Sequence, residues 1–141
     1  MNSVAASTSD TVMFSLLHAA RTLGNRIETA LETAGLSTPK FQVLSALVDA
    51  GDPITLSELA AKVSCVRSNM TQLVDRLEAD GLVRRVDDPS DRRSVRAALT
   101  TLGRERQTAG ARQMERVSTD FAALLTDCDC SGIQRLLDAI G

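Results

Sequence analysis

Residues 67–81 read "RSNMTQLVDRLEADG" and combine two kinds of side chain in a helical pattern. When each residue is advanced by 100°, the apolar side chains share one face of a helix and the small polar side chains share the other. The apolar face, which begins one residue before the stretch, comprises Val66, Met70, Leu73, Val74 and Leu77. The polar face comprises Ser68, Thr71, Gln72, Asp75 and Arg76, with Asn69 at the boundary. The pattern predicts an amphipathic helix that ends at Gly81.

A second short helix is predicted immediately upstream, in "PITLSELAAKV" at residues 53–63. Thr55 and Glu58 have the spacing of a capping box, which marks the start of a helix. A tight turn at residues 64–66 would join the two helices, and such a pair is typical of a helix-turn-helix. The alternative is an amphipathic surface helix whose polar face is simply solvated.

The polar residues at the start of the second helix suit a helix that enters the major groove of DNA. Short or flexible side chains let the backbone approach the bases, hydroxyls bind phosphate or bases, and Asn or Gln pairs with adenine. An arginine one turn later suits phosphate or guanine. The candidate recognition residues are Ser68, Asn69, Thr71, Gln72 and Arg76.

A charged hairpin is predicted to follow. The segment "VDDPSDRRSVR" at residues 86–96 lies between two β-prone segments, residues 82–86 and 94–100. Two short strands with their tip at residues 89–90 would form a wing that reaches the minor groove or its flanking phosphates. The candidate wing residues are Asp91, Arg92 and Arg93. The alternative is a charged tip that stays solvated and protects a sheet edge.

The hairpin pattern also predicts how the wing charges divide. Consecutive strand residues point to opposite faces, so only one of Arg92 and Arg93 is expected to face DNA, and Arg93 is our choice. Asp91, with Asp87 and Asp88 as further candidates, would hold an arginine in place when DNA is absent.

A long amphipathic helix is predicted ahead of this region. Apolar residues at alternating spacings of three and four indicate a helix over residues 9–34, ended by Gly35. A further helix is predicted to start with Thr38 as its N-cap and Pro39 at its first position, and to close at Gly51.

The chain is predicted to end in two more helices. One covers residues 101–126 with Thr100 as its N-cap, and the last starts at Ser131.

The predicted elements together give a fold class that is mainly α with a small β-hairpin wing, an α+β winged helix-turn-helix with six helices. At 141 residues the chain fits a single domain.

The first and last helices carry more apolar surface than a chain of this length can cover by itself. We expect them to build a dimerisation lobe in a homodimer, so that residues 9–34 and 101–141 dimerise and residues 38–100 form the DNA-binding lobe. The expected dimer contacts are Leu16, Leu23, Ile27, Phe121, Leu124, Leu136, Leu137 and Ile140.

Composition argues against several other classes of function. The net charge of −2 disfavours a general polyanion binder, so any DNA contact must come from local geometry. Three Phe residues without Trp or Tyr disfavour RNA binding by aromatic stacking. A single His leaves no Ser-His-Asp grouping, so no enzymatic activity is expected. No apolar run is long enough for a membrane and no signal pattern begins the chain, so we expect a cytoplasmic protein without a membrane partner.

The stretch "LSELAAKVSCVRSNMTQLVDRLEADGLVRRVDDPSDRRSVRAALTTLGRE", residues 56–105, resembles the winged-helix core of the MarR family of bacterial transcription regulators. The most specific motifs are "TQLVDRLEADGLVRR", "DDPSDRRS" and "LTTLGR", and the order of elements matches over nearly the whole chain. The resemblance implies an obligate homodimer on a pseudo-palindromic operator, often released from DNA by a small molecule or an oxidant. One departure is Val66, where the family commonly has a small hydroxyl residue. Val66 cannot cap the recognition helix, so Ser64 or Ser68 would serve.

Two functions are therefore open. The first is a sequence-specific DNA-binding repressor of transcription that a small-molecule effector releases. The second is a redox- or metal-sensing DNA-binding regulator that uses Cys65, or Cys128 with Cys130. Three cysteines are an odd number and argue against a disulfide framework. We expect no bound metal and no cofactor.

Overall fold

The computed structural model describes residues 7–65 and 67–141, which form six α-helices and one three-stranded antiparallel sheet. In chain order the elements are α1 (Thr8–Glu32), α2 (Thr38–Ala50), β1 (Ile54–Thr55), α3 (Leu56–Lys62), α4 (Arg67–Ala79), β2 (Val83–Asp88), β3 (Asp91–Leu99), α5 (Thr101–Leu124) and α6 (Cys130–Ile140). The sheet order is β1-β3-β2. The predicted α+β winged helix-turn-helix with six helices is confirmed.

Polar caps and glycines set several helix ends as the sequence predicts. Thr55 and Glu58 form the capping box of α3, and Thr100 caps α5. Gly51 follows α2 and Gly81 follows α4, both with the positive φ that glycine adopts without steric cost.

Two predicted helix starts are wrong. Ser37, and not Thr38, caps α2, because the Thr38 hydroxyl instead donates to Oε2 of Glu28 on α1 at 2.5 Å. α6 begins one residue before the predicted Ser131, since the Asp129 carboxylate caps it by accepting the Gly132 N–H. The long helices are also shorter at their ends than predicted: α1 ends at residue 32 instead of 34, and α5 at residue 124 instead of 126.

The hydrophobic core lies in the middle of the chain. Its fully buried side chains come from the end of α1, from α2, α3 and α4, and from the start of the hairpin. They are Leu31, Val43, Leu44, Leu59, Met70, Val74, Leu77, Leu82 and Val83. Each such burial stabilises the fold by about 1.5–3 kcal/mol relative to exposure, so this core fixes the orientation of α4.

α5 joins the core through a close helix contact. A Cβ atom at Gly110 would lie 2.7 Å from Cδ2 of Phe41 on α2, closer than side chains tolerate. The two helices therefore approach each other at a position where α5 has no side chain.

The turn between α3 and α4 is a Schellman motif. The Ser64 N–H donates to the Ala61 carbonyl at 3.4 Å and the Cys65 N–H donates to the Ala60 carbonyl at 2.9 Å. Ser64 has a φ of 52°, the left-handed conformation that this motif normally gives to glycine. Val66, and with it the predicted capping of α4, lies outside the described residues.

Replacing Ser64 by glycine should therefore raise the free energy of unfolding by about 0.5–1 kcal/mol, because the left-handed conformation is costly for a residue with a Cβ. Ser64→Ala is the matched control, since alanine keeps the Cβ. Urea unfolding followed by circular dichroism measures both variants. A glycine variant no more stable than the alanine variant would contradict the turn geometry.

Candidate DNA-binding surface

α4 exposes the face that the sequence predicts. Met70, Val74 and Leu77 are each 0% exposed, and their burial turns the opposite side of the helix to solvent. The candidate recognition residues are all exposed: Ser68, Asn69, Thr71, Gln72 and Arg76. Together they form a polar surface of hydroxyls, two amides and one guanidinium, which is suited to base edges and phosphates.

The hairpin departs from the predicted strand geometry near its tip. The register runs regularly from Val83 opposite Leu99 to Asp87 opposite Val95, and then shifts so that Asp88 lies opposite Asp91. Residues 92–94 therefore have no cross-strand partner and form a bulge.

Strand alternation therefore does not by itself separate the two wing arginines, and the expectation that only one of them, Arg93, faces DNA stays a prediction. Arg92 and Arg93 are both exposed. No ion pair between either of them and another residue occurs in the part of the chain that the structure describes. Both guanidinium groups are thus available to a ligand.

The wing acids hold the hairpin in shape. Oδ1 of Asp91 accepts the backbone N–H of Arg93 at 2.9 Å, so this carboxylate holds the backbone of the tip. Among the described side chains no guanidinium forms the ion pair predicted for Asp91. Asp88 does hold an arginine, but its partner is Arg96, whose Nη2 lies 3.1 Å from Oδ2. Nη1 of Arg96 donates to the Pro53 carbonyl, which ties this pair to the segment before β1.

Asp88 is only 8% exposed, and its carboxylate is surrounded by hydrogen-bond donors. The backbone N–H and the hydroxyl of Ser90 donate to its Oδ1 at 2.9 and 2.8 Å, and Arg96 donates on the other side. These hydrogen bonds, with the Ser90 backbone first, lower the pKa of the Asp88 carboxyl below its ordinary value.

Arg85 was missed by the sequence analysis. It lies on β2, is half-buried, and pairs with Asp75 at 2.5 Å and Glu78 at 3.0 Å, both on α4. Burial disfavours its charge, but the hydrogen bonds to the two carboxylates outweigh this and raise the pKa of Arg85 above its ordinary value. The period-two pattern of "VRRV" could have found it, because it places Arg85 on the same strand face as the buried Val83.

The predicted dimer residues lie apart from this surface and are largely uncovered. Leu16, Leu23 and Ile27 are half-buried, and Ile27 packs against the core of its own chain. The others are exposed to between 42% and 64%: Phe121, Leu124, Leu136, Leu137 and Ile140. Four more large apolar side chains at the start of α1 are exposed as well: Val12, Met13, Phe14 and Leu17.

The cysteines give the redox- or metal-sensing alternative no support. Cys65 packs against the core in the turn between α3 and α4. Cys128 and Cys130 are exposed after α5, where their thiols donate to the carbonyls of Leu124 and Leu125. Among residues 7–65 and 67–141 no three potential metal ligands of the His, Cys, Asp or Glu type come together. Over the same residues, no helix is both long and apolar enough to cross a membrane.

Comparison with known proteins agrees with this geometry. Residues 36–95 match the model of the MarR family. The HTH-type transcriptional regulator YsmB of Bacillus subtilis is 37% identical over 89 residues, which are 63% of this chain and 60% of YsmB. The chain thus matches about half to three-fifths of the length of several curated relatives.

Two solved structures share the fold over nearly the whole chain. AbsC, a MarR family transcriptional regulator from Streptomyces coelicolor, has a TM-score of 0.80 and 27% identity, with 95% of this chain and 93% of AbsC covered. The M. tuberculosis transcriptional regulator MOSR, solved in complex with DNA, has a TM-score of 0.72 and 27% identity, with 91% of each chain covered.

The contacts of Asp88 predict a pH-dependent stability of the wing. A lowered folded-state pKa means that the ionised carboxylate stabilises the fold at pH values above the ordinary 3.8, and that this stabilisation is lost as the pH falls through the folded-state pKa. Asp88→Asn should therefore lower Tm at neutral pH, and its difference from the wild type should shrink in acid. Thermal unfolding by circular dichroism from pH 7 to pH 3 measures this.

The matched control is Asp87→Asn, because Asp87 is the exposed neighbour in the same strand. Its Tm at neutral pH should stay close to that of the wild type. If the gap between wild type and Asp88→Asn were the same at every pH, the ionised carboxylate of Asp88, with its hydrogen bonds to Ser90 and Arg96, would not be the source of the stability.

Proposed function

Because this chain belongs to the MarR family of winged helix-turn-helix transcriptional regulators, we propose that it binds double-stranded DNA sequence-specifically and regulates transcription, without enzymatic activity of its own. The observation that carries this proposal is the joint exposure of two sets of side chains. The polar face of α4 and the exposed arginines of the wing, Arg92 and Arg93, belong to adjacent elements of one lobe. The DNA complex of the similar regulator MOSR supports the same use of this fold.

The roles proposed for the α4 residues follow from their hydrogen-bonding groups. Asn69 and Gln72 carry amides, which pair with the N6 and N7 edge of adenine in the major groove. The hydroxyls of Ser68 and Thr71 bind phosphates or bases, and Arg76 binds phosphate or guanine. On the wing, Arg92 and Arg93 bind the minor groove or its flanking phosphates, while Asp91 shapes the backbone between them.

The proposed active form is a homodimer built from α1, α5 and α6. Large apolar side chains on these helices are exposed together, and a monomer rarely leaves so extended an apolar surface uncovered. An apolar groove between the start of α1 and α6, lined by Val12, Met13, Leu16, Leu136 and Ile140, fits apolar side chains of a second copy. Two-fold symmetry then presents two α4 helices to a pseudo-palindromic operator.

The proposed sense of regulation is repression, relieved by a small molecule. A dimer seated on a promoter occludes it, and a ligand that favours another arrangement of the two lobes releases the DNA. The site we propose for this ligand is the groove of about 570 Å³ between α1 and α5. Leu23 and Phe121 give it apolar walls, and Arg26 and Asp120 supply charges of both signs. The proposed ligand is an aromatic acid whose carboxylate binds Arg26. Release of bound DNA by phenolic acids, with benzyl alcohol as the uncharged control, tests this.

The DNA-binding proposal is tested by fluorescence anisotropy with DNA from upstream of the gene that encodes the chain. We expect a complex that survives excess nonspecific competitor. Binding that the competitor abolishes in proportion to its concentration would mean that no sequence is recognised.

Gln72→Ala should reduce discrimination by about 1–3 kcal/mol at one base-pair position in each half-site, because one bidentate base contact is lost. Competition with single-base operator variants locates that position. Asp49→Ala is the control, because Asp49 lies on α2, outside the proposed surface. Equal loss on all sequences would instead make Gln72 a backbone contact.

Leu137→Glu should dissociate the dimer and weaken operator binding together, because it places a charge in the proposed subunit contact. Sedimentation velocity at micromolar concentration measures the mass, and anisotropy measures the affinity. Arg135→Glu, on the other side of α6, is the control and should remain dimeric. A wild-type chain that sediments as a folded monomer would exclude the dimer.

A further inference from the structure

Arg85 of the hairpin contacts the recognition helix α4 at three residues on one side of the helix. Nη2 of Arg85 lies 2.5 Å from Oδ1 of Asp75 and 3.4 Å from the Thr71 carbonyl, and its Nη1 lies 3.0 Å from Oε1 of Glu78. Thr71, Asp75 and Glu78 are spaced by four and three residues, so they follow one side of α4 over two turns. The guanidinium therefore lies along the helix and contacts it at more than one point.

Glu78 completes the contact from the helix side. Its Oε2 accepts the backbone N–H of Arg85 at 2.9 Å, while its Oε1 accepts the guanidinium. β2 is an edge strand of the sheet, so this carboxylate also occupies a donor that the sheet leaves unpaired. Backbone and side chain of Arg85 are thus fixed to the same carboxylate, which restricts both sliding and rotation of the strand against the helix.

The other hairpin arginines behave differently. Arg84, the neighbour in the strand, is exposed, and Arg92 and Arg93 extend from the bulge without ion pairs in the described part of the chain. Arg96 points its guanidinium at Asp88 and Pro53, within the sheet region. Arg85 is therefore the arginine whose contacts run from the base of the wing to the DNA-reading helix.

We propose that Arg85 is a positioning residue for DNA recognition: held by Glu78 and Asp75, it fixes the wing relative to α4 so that both engage one half-site together. The inference rests on the proposed DNA-binding function. Arg85 itself does not touch DNA, because its guanidinium is occupied by α4. Without it, the wing must be ordered during binding, and the entropy lost in that ordering weakens the contacts of Arg92 and Arg93.

The salt dependence of operator binding measures whether the wing contacts form. Each phosphate-type contact contributes roughly 0.9 to the slope of log K against log salt, which is about two units per dimer for one contact in each subunit. The double variant Arg92→Ala with Arg93→Ala should lower the slope by the full wing contribution. Arg85→Ala should lower it by a comparable amount although both wing arginines are present. Adding the wing substitutions to Arg85→Ala should lower it no further.

Glu78→Ala separates positioning from simple electrostatics. It removes a negative charge near DNA, so charge alone predicts tighter binding and an unchanged slope. If Arg85 positions the wing, Glu78→Ala should weaken operator binding and lower the salt slope as Arg85→Ala does, because it removes the other partner of the Arg85–Glu78 contact. Arg85→Lys keeps the positive charge but lacks the planar guanidinium that contacts two carboxylates. Its salt slope should lie between those of the wild type and Arg85→Ala. Arg84→Ala is the matched control and should keep the full slope.

All variants are compared at a temperature where circular dichroism shows the wild-type helix content, which removes unfolding as a cause. The positioning role would be overturned if Arg85→Ala and Glu78→Ala both had the salt slope of the wild type while the double variant Arg92→Ala with Arg93→Ala had a lower one. An unchanged slope in the Arg92→Ala, Arg93→Ala variant would instead contradict the proposed wing contact itself.

Discussion

The burial of one stripe of α4 is the constraint on which the rest of the surface depends. Met70, Val74 and Leu77 are completely inside the core, and an α-helix turns by 100° per residue. Once these three side chains are buried, Gln72 and Arg76 must face solvent. The polar surface therefore needs no separate stabilisation, since the hydrophobic core that holds the lobe together also orients the residues proposed to read DNA.

The wing is fixed in a similar way, but by charges. Arg85 and Glu78 bind the base of the hairpin to α4, and Asp88 and Arg96 bind its tip region to the segment before β1. The Asp88–Arg96 pair joins an acid and a base within residues 86–96, which accounts for part of the mixed charge of that segment. The bulge then leaves the guanidinium groups at residues 92 and 93 unpaired in the described chain, and they are the charges proposed to meet phosphate.

Much of the fold could be predicted from sequence because it depends on local chemistry. The periodicity of α4, the capping box at Thr55 and the N-cap at Thr100 are all encoded within a few residues. What failed depends on partners distant in sequence. Thr38 does not cap α2, since its hydroxyl donates to Glu28, and the shift of the cross-strand register between Asp87 and Asp88 has no signal in the strand pattern. The role of Arg85 was not predicted because it depends on Asp75 and Glu78, two carboxylates of the preceding helix α4.

The proposed arrangement is a homodimer whose two winged lobes read one operator through both grooves. Methylation interference tests it most directly, since dimethyl sulfate marks guanine N7 in the major groove and adenine N3 in the minor groove. Two clusters of major-groove interference are expected, about 10–10.5 base pairs apart and related by two-fold symmetry, with minor-groove interference on the outer side of each where a wing arginine enters that groove. A single cluster of major-groove interference would contradict this arrangement.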